Sequence, residues 1–169
     1  MDALDCIHTR RSIRKYEKRE VPEALVREVI SAGMAAPSAK NEQPWHFVVL
    51  TDRALLEKAS DLHIYAKMVK DAPVAILVCG DLALEKSKDK WVQDCSAAAE
   101  NMLLAAHALG LGAVWVAVYP SEDRVAFLKE MLGLPESVFP LALIPLGYPA
   151  QPSAKVDRFK AERIHTNKW

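Results

Sequence analysis

A short basic run near the N-terminus carries the side chains best suited to hold an anion. The run Thr9-Arg10-Arg11-Ser12-Ile13-Arg14-Lys15-Tyr16 combines arginines, a lysine and a serine. A guanidinium is permanently charged, and its planar set of donors fits phosphate oxygens. The functional interpretation is a phosphate clamp for a nucleotide-like cofactor. The alternative is a solvated basic loop paired with Glu17 and Glu20, since short basic runs usually lie on the surface.

The overall charge limits the kind of partner. The chain has 169 residues, with 22 basic and 22 acidic side chains. A nucleic-acid-binding protein normally carries a clear basic excess or patch, so no nucleic-acid partner is predicted. A single small anionic ligand fits the localised basic run better. The length predicts one domain, residues 1–169, with a substantial core.

Cysteine usage and the N-terminus predict a location. Cys6, Cys79 and Cys95 are far apart and form no C-x-x-C pair, which predicts free thiols in a reducing compartment and no metal site. The start, Met-Asp-Ala-Leu-Asp, lacks the basic and apolar regions of a signal peptide. No apolar run is long enough to cross a bilayer. We therefore expect a cytoplasmic protein without membrane contact.

The elements that must position the basic run follow from hydrophobic periodicity. Helices are predicted at 2–9, from Pro22 to the stop at Pro37, at Arg53–Ser60, at Lys88–Leu109 and at Glu122–Leu132. Strands are predicted at Trp45–Leu50, Val74–Cys79, Ala113–Tyr119 and Phe139–Leu146. The second strand is apolar on both faces, as in the centre of a covered sheet. The alternation of strands and helices indicates an α/β or α+β fold.

Two segments leave alternatives open. The helix Lys88–Leu109 contains small residues at 96–99 and 105–106, which suit either a buried core helix or a helix at a subunit interface. The tail Ala150–Trp169 has little periodicity but carries apolar side chains, so we expect it to pack on another surface, such as a partner subunit. These side chains are Phe159, Ile164 and Trp169.

The sequence contains no familiar catalytic motif of its own. A P-loop, a G-x-G-x-x-G turn after a strand and a G-x-S-x-G elbow are all missing. Gly110-Leu111-Gly112 follows a helix, so it is not a dinucleotide-binding turn. No pair of carboxylates stands out as an acid–base couple. We predict no catalytic side chain, and a cofactor that performs the difficult step.

Four separated stretches resemble the FMN-dependent nitroreductases, in their shorter-chain branch. They are Arg10-Arg11-Ser12-Ile13-Arg14, the segment from Ala36 to Phe47, Gly110-Leu111-Gly112 with Trp115–Pro120, and the ending Asp157–His165. The second stretch reads P-S-x-x-N-x-Q-P-W-x-F and is the most specific of the four. Together they span nearly the whole chain.

The resemblance implies an α+β homodimer with a central mixed or antiparallel sheet flanked by helices and with the C-terminal tail exchanged across the dimer. It implies FMN as cofactor and NAD(P)H as electron donor. The implied enzyme passes a hydride through flavin N5 to a nitroaromatic, a quinone or a similar small acceptor in a ping-pong cycle.

The resemblance also implies which residues bind the cofactor. The flavin phosphate and ribityl end would be held by Arg10, Arg11, Ser12 and Arg14, together with the tail residues Lys160 and Arg163. The other subunit would contribute Pro37, Ser38 and Asn41. The strand beside flavin N5 would contribute Trp115, Val116, Ala117 and Val118.

The chain departs from longer family members at two places. Those members have a Glu-Gly pair beside the flavin, where this chain has Val116-Ala117-Val118-Tyr119, and an excursion that is here reduced to Asp81–Asp89. The acceptor and the choice between NADH and NADPH therefore stay open. The alternatives are a non-catalytic flavin-binding or redox-sensing module, and a specialised flavin enzyme of a dehalogenase-like or flavin-fragmenting kind. The latter usually needs an ordered lid, for which Asp61–Lys70 and Asp81–Asp89 look short.

Overall fold

A single sheet with helices on both faces forms the molecule. The structure is a computed structural model and describes residues 1–154 and 156–169. Its helices are α1 (Ala3–Thr9), α2 (Glu23–Met34), α3 (Arg53–Ala59), α4 (Trp91–Ala108) and α5 (Glu122–Leu132). Its strands are β1 (Trp45–Leu50), β2 (Val74–Asp81), β3 (Gly112–Ala113), β4 (Val116–Ala117) and β5 (Val138–Gly147). Short 3₁₀ segments lie at Ala39–Asn41, Ile64–Asp71, Leu82–Leu84 and Ala161–Arg163.

The sheet is antiparallel between its named strands and has the order β1-β2-β5-β3, with β4 also paired to β5. The central strand β2 is buried along nearly all its length, as predicted. Its alternate side chains enter two separate cores, because successive residues of a strand point to opposite faces. Val74, Ile76 and Val78 pack on the side of α2 and α4, and Ala75, Leu77 and Cys79 on the side of α3. The predicted α+β class with a helix-flanked sheet is confirmed.

The predicted strand Ala113–Tyr119 is divided into β3 and β4. Ala113 pairs with Leu146 and Val116 with Leu143, so the same register continues across the break. That register places Pro145 opposite Val114. Proline has no backbone N–H to donate to the ladder, which interrupts the strand at this point.

The small side chains of α4 serve packing within the chain. Ala98, Ala99 and Ala106 are fully buried in the core that α4 shares with α2 and the sheet. Ala97 and Ala105 lie beside them and are half-buried. The interpretation of a buried core helix is therefore supported, and a subunit contact would use the remaining, more exposed face.

The C-terminal tail contacts its own chain through its first residues and is exposed from residue 156 onward. It leaves β5 next to the basic run, where the Ala150 amide donates to the Lys15 carbonyl at 2.9 Å. Every residue from 156 to 169 is exposed. The exposed fractions of its apolar side chains are 71% for Phe159, 61% for Ile164 and 101% for Trp169.

Candidate functional site

The basic run is fixed across the end of β3. Ser12 forms a parallel bridge with Ala113, and the Ile13 amide donates to the Ala113 carbonyl at 3.0 Å. The buried Ile13 side chain lies over Gly112, where an added Cβ would sit 2.6 Å from Ile13 Cγ2. Only glycine allows this approach. The contact directs the next residue, Arg14, towards the segment that joins β3 to β4.

A cavity of about 250 Å³ lies between the basic run, β4 and the 3₁₀ segment Ile64–Asp71. Its lining residues are Arg14, His63, Tyr65, Met68, Val114, Trp115, Val116, Ala117 and Arg124. The structure thus brings together Arg14 and Trp115–Ala117, which are far apart in the chain. A larger open groove of about 1260 Å³ shares Arg14, but none of the β4 residues lines it.

Sequence reasoning missed one wall of this cavity. His63, Tyr65 and Met68 come from the segment Asp61–Lys70, for which no role was predicted, and Arg124 comes from α5. The 3₁₀ segment packs on α3, and this tertiary contact brings the wall to β4. The helical spacing of the buried Leu62, Ala66 and Val69 is the local signal that could have indicated a packed element here.

The wall formed by His63 is electrically neutral. His63 Nδ1 accepts a hydrogen bond from the Tyr65 amide at 3.0 Å, so the ring proton lies on Nε2. Burial, and to a lesser extent the charge of Arg124, lower the pKa of His63 and favour the neutral ring. Arg124 Nη1 donates to the Ala117 carbonyl at 3.0 Å and braces β4. The fixed positive charges of the cavity therefore belong to the two arginines.

The three arginines of the basic run have different surroundings. Arg10 Nε lies 3.3 Å from Glu100 Oε1 of α4. Arg11 donates to the Ala154 carbonyl at 2.7 Å and to the His8 carbonyl at 3.1 Å, so it ties the start of the tail to the end of α1. Arg14 is exposed, and its guanidinium has no hydrogen bond or ion pair to any residue that the structure describes. It is the arginine freest to bind a ligand.

The loop Pro37–Asn41 lies elsewhere on the chain and lines neither cavity. Three non-glycine residues near it have positive φ: Lys40 at 49°, Asn41 at 53° and Gln43 at 48°. Ser38 Oγ accepts from the Gln43 amide at 3.0 Å, and Asn41 Oδ1 accepts from Gln43 Nε2 at 2.9 Å. The loop is therefore held in a defined shape, but a single chain does not join it to Arg14.

Six further predicted residues are also outside the cavity, and Arg10, Arg11 and Ser12 of the basic run are three of them. The Val118 side chain is fully buried in the core on the α3 side of the sheet. Lys160 and Arg163 are exposed on the tail, at the short 3₁₀ turn. Among the described residues, neither Lys160 nor Arg163 contacts the basic run by a side-chain hydrogen bond or ion pair. The tail reaches the run through its first residues, as in the hydrogen bond from Arg11 to the Ala154 carbonyl.

The sequence matches a known protein family over most of its length. The model of the nitroreductase family matches residues 7–64 and 57–148. The chain belongs to the nitroreductase family. It is 56% identical to a Methanothermobacter thermautotrophicus protein named "Putative NADH dehydrogenase/NAD(P)H nitroreductase", over 100% of this chain and 88% of that protein.

Solved structures of nitroreductase relatives share the fold closely. A crystal structure of the protein of the same name from Parabacteroides distasonis is 43% identical, with a TM-score of 0.95 over 98% of each chain. An FMN-dependent nitroreductase from Clostridium difficile is 28% identical, with a TM-score of 0.92 over 98% of this chain and 99% of that one. The predicted family and fold are thereby confirmed.

The described residues lack two kinds of feature. None of the helices in ranges 1–154 and 156–169 is both long and apolar enough to span a bilayer. The same residues contain no group of three or more histidine, cysteine, aspartate or glutamate side chains arranged to hold a metal ion.

The cavity fits part of an FMN molecule. It offers cationic side chains and a largely apolar wall, which suit a phosphate-bearing ligand with a flat ring system. Its volume of about 250 Å³ is below the roughly 300–1,000 Å³ of typical ligand pockets. This cavity is therefore smaller than a typical binding site for a ligand of this kind.

Proposed function

We propose that this nitroreductase is an FMN-dependent NAD(P)H oxidoreductase that reduces a nitroaromatic, a quinone or a similar small acceptor in a ping-pong cycle. The observation that carries the proposal is the convergence of Arg14 with Trp115–Ala117 in one cavity. The relatives support it through their names, which include NAD(P)H nitroreductase and FMN-dependent nitroreductase.

The chain's own residues bind and orient the cofactor. When bound, FMN supplies a hydride-accepting N5 atom and an exposed ring face on which donor and acceptor stack in turn. Arg14 neutralises an anionic part of FMN, and charge-assisted hydrogen bonds of this kind are the stronger ones. The strand β4 is paired only to β5 among the described strands, so its outer edge is available to the flavin. Arg10, Arg11 and Ser12 complete the phosphate end.

A second copy of the chain completes the site. The cavity is smaller than typical ligand pockets, and the loop with Pro37, Ser38 and Asn41 lies outside it. A homodimer brings the loop of one subunit to the cavity of the other. The exposed apolar side chains of the tail pack on the partner in an exchanged arrangement, which also carries Lys160 and Arg163 to a phosphate site.

Purification and assay of the full chain test this function. We expect the protein to bind FMN, to bleach its flavin absorbance with NADH or NADPH under anaerobic conditions, and to turn over with a quinone. A protein that neither binds FMN nor bleaches it with either donor would contradict the proposal.

The same assay separates the alternative functions. A flavin-binding or redox-sensing module would bind FMN but oxidise NAD(P)H only negligibly with any acceptor. A dehalogenase-like enzyme would release halide from a halogenated aromatic faster than it reduces quinones. A panel that includes both acceptor types therefore decides among the three readings.

A further inference from the structure

Two buried acidic side chains meet beneath the loop Pro37–Asn41. Glu42 and Asp94 are each 6% exposed. Glu42 follows the loop, and Asp94 belongs to the first turn of α4. Their carboxyl groups lie within hydrogen-bonding reach of each other. Buried carboxyl groups of like charge cannot both stay ionised at such a separation without a large cost.

The oxygen atoms of the pair show how the cost is avoided. Glu42 Oε2 accepts from the Lys86 amide at 2.6 Å and the Ser87 amide at 2.9 Å. Asp94 Oδ1 accepts from the Ala39 amide at 3.0 Å. The two other oxygens, Glu42 Oε1 and Asp94 Oδ2, are buried and have no donor among the described residues. A single proton between these two oxygens satisfies both.

The geometry points to a hydrogen bond between a carboxylic acid and a carboxylate, in which protonated Asp94 donates to ionised Glu42. This hydrogen bond fixes the loop Pro37–Asn41 in its ligand-binding shape. Glu42 stays ionised because two backbone amides already donate to it. The pair joins three elements: the loop, the segment Lys86–Ser87 and the start of α4. Asp94 and Glu42 are positioning residues, since neither lines either of the two cavities described above.

The surrounding charges agree with this proton position. Burial, followed by the hydrogen bond and charge of Glu42 and the charge of Glu85, raises the pKa of Asp94. Burial by itself would raise the pKa of Glu42. The hydrogen bonds from the Lys86 and Ser87 amides and from Asp94, together with the charge of Lys86, outweigh it and lower the pKa. The neighbouring Cys95 thiol has a pKa raised to about 12, mainly by burial, so it stays neutral.

The strained loop explains why such a bond matters. Positive φ angles at Lys40, Asn41 and Gln43 are unfavourable for residues other than glycine, and such a shape persists only when its surroundings enforce it. The hydrogen bond from the Ala39 amide to Asp94 and the buried Glu42 bracket Lys40 and Asn41, and Gln43 directly follows Glu42. Ionisation of Asp94 would set two negative charges against each other and release the loop.

The first test follows stability with pH in the full chain. Asp94→Asn keeps an acceptor for Ala39 and a donor for Glu42 but cannot ionise. The folded-state pKa of Asp94 is raised, so its contribution is complete below the unfolded value of about 3.9 and is lost as pH rises through the folded value. We expect the unfolding constant of the wild type, divided by that of Asp94→Asn, to rise with pH by up to about tenfold per unit and then level off.

A matched control and a direct observation accompany that series. Asp89→Asn makes the same change on an exposed side chain of the adjacent segment and controls for the loss of one acidic group. Infrared difference spectra of the wild type and Asp94→Asn, recorded at a pH within the range over which the stability ratio rises, should show a protonated carboxylic acid that only the wild type has. A constant stability ratio, or a wild type without that infrared band, would overturn the shared proton.

The link to the cofactor rests on the proposed function and has its own measurement. We expect FMN to dissociate more readily from the wild type as pH rises through the folded-state pKa of Asp94, relative to Asp94→Asn at the same pH. If both proteins show the same pH dependence while the stability ratio changes, the positioning role is wrong. If neither binds FMN, the proposed function fails, and the stability and infrared results still decide the shared proton.

Discussion

At the scale of single residues, the three arginines of the basic run have different contacts. Arg10 pairs with α4, Arg11 binds carbonyl groups, and Arg14 is left to face the cavity. The sequence indicates a basic cluster but not this division. Which arginine is free depends on Glu100 and Ala154, and both are distant from the run in sequence.

Replacement of Arg14 tests the assignment of the free arginine. Arg14→Ala should weaken FMN binding by about 1.5 kcal/mol or more, the lower range for hydrogen bonds to charged groups. The dissociation constant is measured by flavin fluorescence quenching. Lys15→Ala removes the same charge from the next residue, which lines only the larger groove, and should change the affinity much less. Equal effects of the two changes would remove Arg14 from the site.

The contact between Gly112 and Ile13 offers a second test at this scale. Gly112→Ala places a methyl group against Ile13 and should cost about 1–3 kcal/mol of unfolding free energy, as overpacking does. It should also weaken FMN binding, because Ile13 directs Arg14 to the cavity. Gly33→Ala, whose methyl group would overpack against the buried Met102 side chain away from the cavity, is the control and should leave FMN affinity intact. Urea unfolding and FMN titration of both variants measure the two effects.

At the scale of elements, the sequence predicts most helices and strands, but it does not predict the segment that forms the His63 wall of the cavity. The sequence predicts the strand Val74–Cys79 because its apolar pattern is local. Capping is local as well, since Asp52 stands directly before the first residue of α3. The break between β3 and β4 depends on Pro145, which is distant in sequence. The spacing of Leu62, Ala66 and Val69 indicates a buried face near Ile64–Asp71, but it does not indicate that this face packs on α3.

The cap of α3 provides a test at the element scale. Asp52 Oδ1 accepts from the Leu55 amide at 3.0 Å, so Asp52→Ala should lower the unfolding free energy by about 1 kcal/mol. Ser121 occupies the equivalent position of α5 but makes no side-chain capping bond, so Ser121→Ala should cost much less. Thermal or urea unfolding compares the two variants. An equal loss would show that the α3 cap contributes nothing specific.

At the scale of the whole molecule, a single chain does not bring together all the residues that the proposed function requires. Its cavity is smaller than typical ligand pockets, and its loop Pro37–Asn41 does not line that cavity. Its tail exposes apolar side chains to water. These three features have a common explanation in a symmetric dimer, because each copy then supplies what the other lacks.

The tail permits a test that separates its two proposed roles. The double change Phe159→Ala and Ile164→Ala removes apolar contacts, each worth about 1.5–3 kcal/mol when fully buried, and should raise the dimer dissociation constant at least about tenfold. The double change Lys160→Ala and Arg163→Ala should weaken FMN binding and leave the dimer largely intact. Sedimentation equilibrium and FMN titration measure the two outcomes. A wild-type chain that is monomeric at micromolar concentration, yet binds FMN tightly, would show that one chain builds the site alone and that the tail has another purpose.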